Sequence, residues 1–93
     1  MRAEIFTKTT CPYCDMAKQY LTEQGIAYTE LVYDNDDERQ AMYDSLGLVG
    51  GQRTVPQVFA VDGPTRRRIG GYSELLRSDL AIQAAVGNFN EHF

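Results

Sequence analysis

The tetrapeptide Cys-Pro-Tyr-Cys at residues 11–14 contains the only two cysteines of the chain and follows closely on the apolar residues Ala3, Ile5 and Phe6. The apolar run predicts a buried strand, and the residues after the tetrapeptide predict a helix, so we expect Cys11 at the turn between them. The position of the pair therefore matters as much as its composition. Two thiols at a strand-to-helix turn favour a redox couple.

The two cysteines are expected to play different parts. Proline favours the first helical position, so Pro12 predicts that Cys11 is the N-cap. Helix N-termini and Cys-X-X-Cys settings lower a thiol pKa from about 8.5 to roughly 3.5–7.5. We therefore expect Cys11 to be the nucleophilic thiolate. Cys14 lies one helical turn deeper, within disulfide distance, and is expected to be the resolving thiol.

Two alternatives for the cysteine pair are a local structural disulfide and half of a zinc site. A bridge that closes so short a loop constrains the unfolded chain little. A structural zinc site needs four ligands, whereas the chain offers two cysteines and one histidine, His92, in a segment expected to be frayed. The redox couple is the better interpretation, and a metal cluster shared between two chains stays open at this point.

Length and charge limit the classes of function. The 93 residues predict a single domain over residues 1–87, with a frayed tail at 88–93. The net charge of −4 argues against a nucleic-acid or anionic-membrane surface, and the one basic run, at residues 66–68, is expected to be a solvated strand flank. No segment approaches the ~20 apolar residues of a membrane span, and the N-terminus leads into a strand, so we expect a cytoplasmic protein.

Apolar periodicity and turn residues predict the remaining elements. We expect strands near 3–7 and 27–33, helices near 12–24 and 37–46, a loop at 47–52, a hairpin with strands at 58–61 and 67–69, and a helical segment from about Ser73. The helices are expected to bury, in chain order, Met16, Ala17, Tyr20 and Leu21; Met42, Tyr43 and Leu46; and Leu75, Leu76, Leu80, Ile82 and Val86. The result is an α/β domain, a four-stranded mixed sheet with helices on both sides.

Three motifs along the chain resemble those of the glutaredoxin family. They are Lys-Thr-Thr-Cys-Pro-Tyr-Cys at residues 8–14, Thr-Val-Pro-Gln at 54–57 and Gly-Gly at 70–71, in family order and with nearly family spacing. The resemblance covers residues 1–80 and implies a thioredoxin-like fold (βαβαββα). It also implies a monomeric dithiol enzyme that uses glutathione to reduce protein disulfides and glutathione mixed disulfides, without a metal or prosthetic group.

The resemblance also implies a glutathione site around the second motif. Pro56 would be cis, so that the Val55 backbone, beside Thr54, pairs with the cysteine of glutathione like an added strand. Lys8 and Gln40 would hold the glycine carboxylate, and Lys8 would also favour the Cys11 thiolate. Without the family pattern, the ordinary interpretation of Pro56 would be a trans proline that opens an edge strand. Lys8 would ordinarily be a solvated loop lysine.

The third motif would bind the other end of glutathione. Gly71 would allow a close backbone approach, and the N–H groups of Tyr72 and Ser73 would hold the γ-glutamyl carboxylate. We expect Ser73 to cap the last helix as well. Glu74, where the family often has Asp, would face the α-amino group, and Tyr13 would line the cleft.

Some features depart from the family pattern and leave the protein partner open. Tyr72 replaces a residue that is often Cys, and the segments at 48–51 and 62–68 are longer than usual. Ribonucleotide reductase is a client that only the family implies. A redoxin reduced by thioredoxin reductase, a glutathione-ligated [2Fe–2S] carrier and a non-enzymatic redox-sensing module are the alternative functions, although Pro12 and Tyr13 differ from the Cys-Gly-Phe-Ser turn common in cluster carriers.

Overall fold

The computed structural model describes residues 1–78, and within them the predicted order of strands and helices is confirmed. Predictions for the tail and for Leu80, Ile82 and Val86 lie outside the described residues. No helix in the described range has the length and apolar composition needed to cross a membrane. The elements are β1 (Arg2–Thr7), α1 (Pro12–Glu23), β2 (Tyr28–Val32), α2 (Asp36–Ser45), a 3₁₀ turn (Gly50–Gln52), β3 (Gln57–Asp62), β4 (Thr65–Gly70) and α3 (Tyr72–Leu76).

The four strands form one mixed sheet in the order β2-β1-β3-β4. The β1–β2 pair is parallel, with Phe6 opposite Leu31, and the other two pairs are antiparallel. Asp62 pairs with Thr65, so the hairpin closes through a two-residue turn. Because β1 is central, its C-terminal end delivers the chain to Cys11 from the middle of the sheet.

Each face of the sheet is covered by helices, as predicted. Side chains alternate between the two faces of a strand, so Ile5 and Phe6 enter different cores. One core joins β1 and β3 to α1 and α3, and its buried members are Ala3, Ile5, Ala17, Leu21, Ile26, Val58, Ala60 and Leu75. The other lies on the α2 side and contains Phe6, Met42, Tyr43, Leu48 and Phe59.

Both long helices end in the same way, at a glycine followed by a buried apolar residue. Gly25 and Gly47 have φ of 70° and 71°, a left-handed conformation that glycine adopts without cost. The next N–H groups donate backward to the helix, from Ile26 to the Leu21 carbonyl and from Leu48 to the Tyr43 carbonyl. This is the Schellman arrangement, and it places an apolar side chain in each core.

Two predicted core residues are instead exposed. Met16 is 42% exposed, because the buried stripe of α1 follows Cys14, Ala17 and Leu21 and Met16 lies one position off it. Leu76 is 43% exposed, since the short α3 buries only Leu75 among its residues. The predictions of an inward-facing Met16 and Leu76 were therefore wrong.

Candidate active site

The strand-to-helix turn places Cys11 at the start of α1. Cys11 has extended backbone angles (φ −135°, ψ 98°), Pro12 is the first helical residue, and the Cys14 N–H donates to Cys11 Sγ over 3.2 Å. Cys11 is the N-cap, as predicted. The first N–H groups of a helix have no partner inside it, so this position supplies donors to a negatively charged sulfur.

Cys11 and Cys14 are joined by a disulfide, with Cα atoms 5.2 Å apart. Both side chains are buried, Cys14 more completely, at 1% exposure against 7% for Cys11. The described protein is therefore the oxidised form of a pair that bridges one turn of helix. Cys14 is the less exposed of the two, in keeping with its predicted position one helical turn deeper, and the roles of nucleophile and resolving thiol stay predictions.

The loop before β3 approaches Cys11 from the other side. The Val55–Pro56 peptide bond is cis, as the resemblance implied, and the Val55 carbonyl oxygen lies 3.9 Å from Cys11 Sγ. The loop thus presents the main-chain carbonyl of Val55 to the sulfur.

Asp34 holds the segment that leads into Cys11. Its carboxylate accepts hydrogen bonds from the Thr9 N–H (2.6 Å) and the Thr9 hydroxyl (2.7 Å), and these bonds lower the pKa of Asp34. Thr10, next in the chain, has φ of 57°, a left-handed conformation that is costly for a β-branched residue. Asp34 was not among the predicted site residues, and its contact with Thr9 spans 25 positions of the chain.

A cleft of about 320 Å³ lies between the starts of α1 and α3. The rings of Tyr13 and Tyr72 are 6.1 Å apart between centroids, and Tyr13 is 61% exposed. We call this the aromatic cleft. Its lining residues are Tyr13, Thr54, Val55, Pro56, Gly71, Tyr72, Ser73 and Glu74.

The start of α3 forms one wall of the aromatic cleft. Gly71 is the N-cap, and its N–H donates to the Glu74 carboxylate over 3.2 Å. Gly70 has φ of 123°, and a Cβ atom there would lie 3.0 Å from Glu74 side-chain atoms, so only glycine fits. The prediction that Ser73 caps this helix was wrong: Ser73 lies within α3, two residues after the N-cap, and lines the cleft instead.

A second cleft, of about 370 Å³, lies between α2 and the loop before β3. We call it the basic cleft, and it shares Thr54 and Val55 with the aromatic cleft. All ten residues predicted to bind glutathione therefore line one cleft or both. The residues of the basic cleft are Lys8, Arg39, Gln40, Tyr43, Arg53, Thr54 and Val55.

Two arginines of the basic cleft were missed by the sequence analysis. Arg53 donates to the Leu48 carbonyl (2.9 Å) and to Gln40 Oε1 (3.0 Å), and it pairs with Asp44. Arg39 pairs with Asp36 and donates to the Tyr33 carbonyl. Arg53 could have been found from the sequence, because it directly precedes the Thr-Val-Pro motif that was predicted to bind glutathione.

A cluster of charged and polar side chains connects α1 to strands β1 and β2 of the sheet. The buried Thr7 hydroxyl donates to Glu30 (2.7 Å), and Lys18 pairs with Glu30 (3.0 Å) and Asp15 (3.6 Å). The Thr7 hydrogen bond lowers the pKa of Glu30, and the hydrogen bond to Glu30 raises the pKa of Lys18. The cluster fixes the helix that carries both cysteines.

A cysteine pair at the start of a helix, facing a cis-proline loop on a mixed four-stranded sheet, defines a thiol–disulfide oxidoreductase of the thioredoxin-like fold. Comparison with known proteins narrows this class. A family model described as glutaredoxin matches residues 3–64. The chain belongs to the glutaredoxin family.

Individual glutaredoxins that are similar to this chain agree with this assignment. Glutaredoxin 3 of Escherichia coli strain K12 is 40% identical over 77 residues, which cover 82% of this chain and 83% of that protein. The structure of glutaredoxin 1 from Francisella tularensis, complexed with cacodylate, matches with a TM-score of 0.71 and 31% identity over 88% of this chain and 95% of that chain. The buckwheat glutaredoxin–glutathione complex matches with a TM-score of 0.63 and 25% identity over 89% and 72%.

Proposed function

We propose that this protein is a glutathione-dependent thiol–disulfide oxidoreductase that reduces glutathione mixed disulfides and protein disulfides. One observation carries the proposal. Val55 lies against the Cys11 sulfur and lines both clefts. A tripeptide whose central cysteine reaches Cys11 would therefore extend one end into the aromatic cleft and the other into the basic cleft.

The chemistry of the two clefts matches the two ends of glutathione. The glycine end carries a carboxylate, for which the basic cleft offers Lys8, Gln40 and Arg53. The γ-glutamyl end carries a carboxylate and an ammonium group. The aromatic cleft offers the backbone of Tyr72 and Ser73 to the first and the Glu74 carboxylate to the second.

The central residue of glutathione would be held by main-chain groups. The Val55 N–H and C=O can pair with the backbone of the ligand's cysteine, as an added strand does at a sheet edge. This pairing sets the direction of the ligand and brings its sulfur to Cys11. The buckwheat glutaredoxin crystallised with glutathione supports a glutathione site in this family.

The reaction proceeds by thiol–disulfide exchange. The Cys11 thiolate attacks the glutathione sulfur of a mixed disulfide, a new S–S bond forms, and the substrate sulfur leaves as a thiolate that takes up a proton. A second glutathione thiolate then attacks the bound glutathione sulfur, releasing glutathione disulfide and the Cys11 thiolate. With a protein disulfide, Cys11 first forms a mixed disulfide with one protein sulfur, and the other protein sulfur leaves as a thiol. The Cys14 thiolate then attacks the Cys11 sulfur and the second protein thiol leaves. Two glutathione molecules reduce the resulting Cys11–Cys14 disulfide and are released as glutathione disulfide.

The proposal extends to the setting in which the protein acts. Family resemblance supports a cytoplasmic monomer and ribonucleotide reductase as one client. The Cys14→Ser variant provides a test of the clients, because it would retain them as mixed disulfides with Cys11. Failure to recover ribonucleotide reductase from the host's cytoplasm in this way would contradict that part of the proposal.

The first experiment measures reduction of a small glutathione mixed disulfide, coupled to glutathione reductase and NADPH. Wild type is expected to turn over, and Cys11→Ser is expected to be inactive. Reduction of the wild-type disulfide by thioredoxin reductase, together with no glutathione-dependent turnover, would overturn the proposal in favour of a thioredoxin-like redoxin.

A further inference from the structure

Gln57 is the buried polar residue directly after the cis proline. Its side chain is fully buried, and its amide nitrogen donates to the carbonyl oxygens of Gln52 (2.9 Å) and Thr54 (2.8 Å). Its amide oxygen accepts a hydrogen bond from Arg68 Nε over 3.0 Å. The side chain therefore joins the loop before β3 to the edge strand β4.

The orientation of the Gln57 amide follows from its partners. An arginine side chain can only donate hydrogen bonds, and a main-chain carbonyl can only accept them. The amide oxygen must consequently face Arg68, and the NH₂ group must face the two carbonyls. Loss of Arg68 would remove the donor that the amide oxygen faces and leave a buried acceptor unsatisfied.

The two carbonyls held by Gln57 belong to the loop that approaches Cys11. Thr54 directly precedes Val55, and the Gln52 carbonyl also accepts the Thr54 N–H over 2.9 Å. We propose that Arg68 and Gln57 form a positioning pair that fixes residues 52–56, and with them the Val55 backbone beside Cys11. Arg68 lines neither cleft, so it acts through Gln57.

Strand β4 also supplies a matched control. Arg66 lies two residues before Arg68 and so on the same face of the strand. It too donates from Nε to a side-chain oxygen, that of Glu4 (2.7 Å), and it lies over the Phe59 ring at 4.6 Å. None of the partners named for Arg66 belongs to the loop at 52–56. Arg66→Met thus removes a charge and an ion pair from the same strand without disturbing Gln57.

The experiment compares Arg68→Met, Arg68→Lys and Arg66→Met by two measurements. Amide hydrogen exchange at Thr54 reports on the loop, and it is expected to accelerate about tenfold in Arg68→Met, the effect of losing one hydrogen bond from a charged donor. The KM for a glutathione mixed disulfide is expected to rise about fivefold, with kcat changed less than about twofold, because the loop positions the substrate. Arg68→Lys keeps a hydrogen-bond donor, so its Thr54 exchange rate and its KM are expected to lie close to the wild-type values. Arg66→Met is expected to leave the exchange rate and the KM unchanged.

A double-mutant cycle tests whether Arg68 acts through Gln57. In a Gln57→Leu background, Arg68→Met is expected to have no further effect on Thr54 exchange. Equal acceleration of Thr54 exchange in Arg68→Met and Arg66→Met would overturn the proposal, since it would show a general effect of the strand. If Gln57→Leu does not fold, the proposal is tested by Thr54 exchange in the three single arginine variants alone.

The KM measurement rests on the proposed glutathione-dependent function, whereas the exchange measurement does not. Absence of glutathione turnover in wild type would contradict the proposed function and leave the exchange test of the pair intact. Normal wild-type turnover with unaltered Thr54 exchange in Arg68→Met would contradict the positioning pair alone.

Discussion

The sulfur of Cys11 lies 3.9 Å from the carbonyl oxygen of Val55, although 44 positions separate the two residues in the chain. This approach joins the start of α1 to the loop before β3. Asp34 holds the segment before Cys11, and Gln57 holds the segment before Val55. Cys11 and the loop that it meets thus come from two separate parts of the chain, each fixed by its own hydrogen bonds.

Substitution of the two cysteines should separate two reactions. Cys11→Ser is expected to abolish all activity, because the nucleophile is lost. Cys14→Ser is expected to lose reduction of protein disulfides but retain reduction of glutathione mixed disulfides, since a second glutathione can replace the resolving thiol. Both activities are measured with glutathione reductase and NADPH. Inactivity of Cys14→Ser on both substrates would refute this division of labour.

Removal of the Lys8 charge should weaken binding of the glycine carboxylate. Lys8 lines the basic cleft and forms no salt bridge within residues 1–78, so its ammonium group can serve a ligand. Lys8→Met is expected to raise the KM for a glutathione mixed disulfide about fivefold, and added salt should reduce the difference from wild type.

The matched control for Lys8 is Lys18→Met. Lys18 lies outside the basic cleft and is paired with Glu30. The KM of Lys18→Met is expected to stay within about twofold of the wild-type value, because this substitution removes a cation that the glycine carboxylate of glutathione does not meet. A similar rise of KM in both variants would show that only the net charge of the protein matters.

Glu74 should distinguish ligands that carry the γ-glutamyl ammonium group. Glu74→Gln keeps an oxygen that can accept the Gly71 N–H, so the start of α3 is expected to be preserved. The variant should raise the KM for a glutathione mixed disulfide about fivefold. With the mixed disulfide of glutaryl-Cys-Gly, which lacks the ammonium group, wild type and variant should agree. An equal rise of KM for both substrates would assign Glu74 a structural role only.

Glu30 should make stability depend on acid pH. Its pKa lies below the ordinary value of 4.5, chiefly through the Thr7 hydrogen bond, so the ionised carboxylate stabilises the fold above about pH 4.5. This stabilisation is lost as pH falls through the lowered folded pKa. Glu30→Gln is expected to unfold more easily by about 1 kcal/mol at pH 7, and the gap should narrow on acidification. Urea unfolding of both proteins between pH 3 and 7 measures this difference in unfolding free energy. A difference independent of pH would contradict the stabilising role of the ionised Glu30 carboxylate.

Most of the fold was predictable from local patterns. Strand alternation and helical periodicity need only neighbouring residues, and Gly25 and Gly47 end their helices through their own backbone freedom. The predicted bounds of the two long helices agree with the structure to within one residue at each end. Burial was less predictable: Met16 and Leu76 are apolar yet exposed, because whether an apolar residue is covered depends on the element packed against it.

The sequence by itself determined the cysteine pair, its position at the start of a helix, and the motifs that identify the family. Only the tertiary structure decided which distant groups meet that pair. Asp34 reaches Thr9 across 25 positions, and Arg68 reaches Gln57 across 11, through hydrogen bonds that exist only once the strands are paired. Local periodicity reports on burial and turns but contains no information on such partners, because a polar side chain finds its partner through the packing of elements distant in the chain.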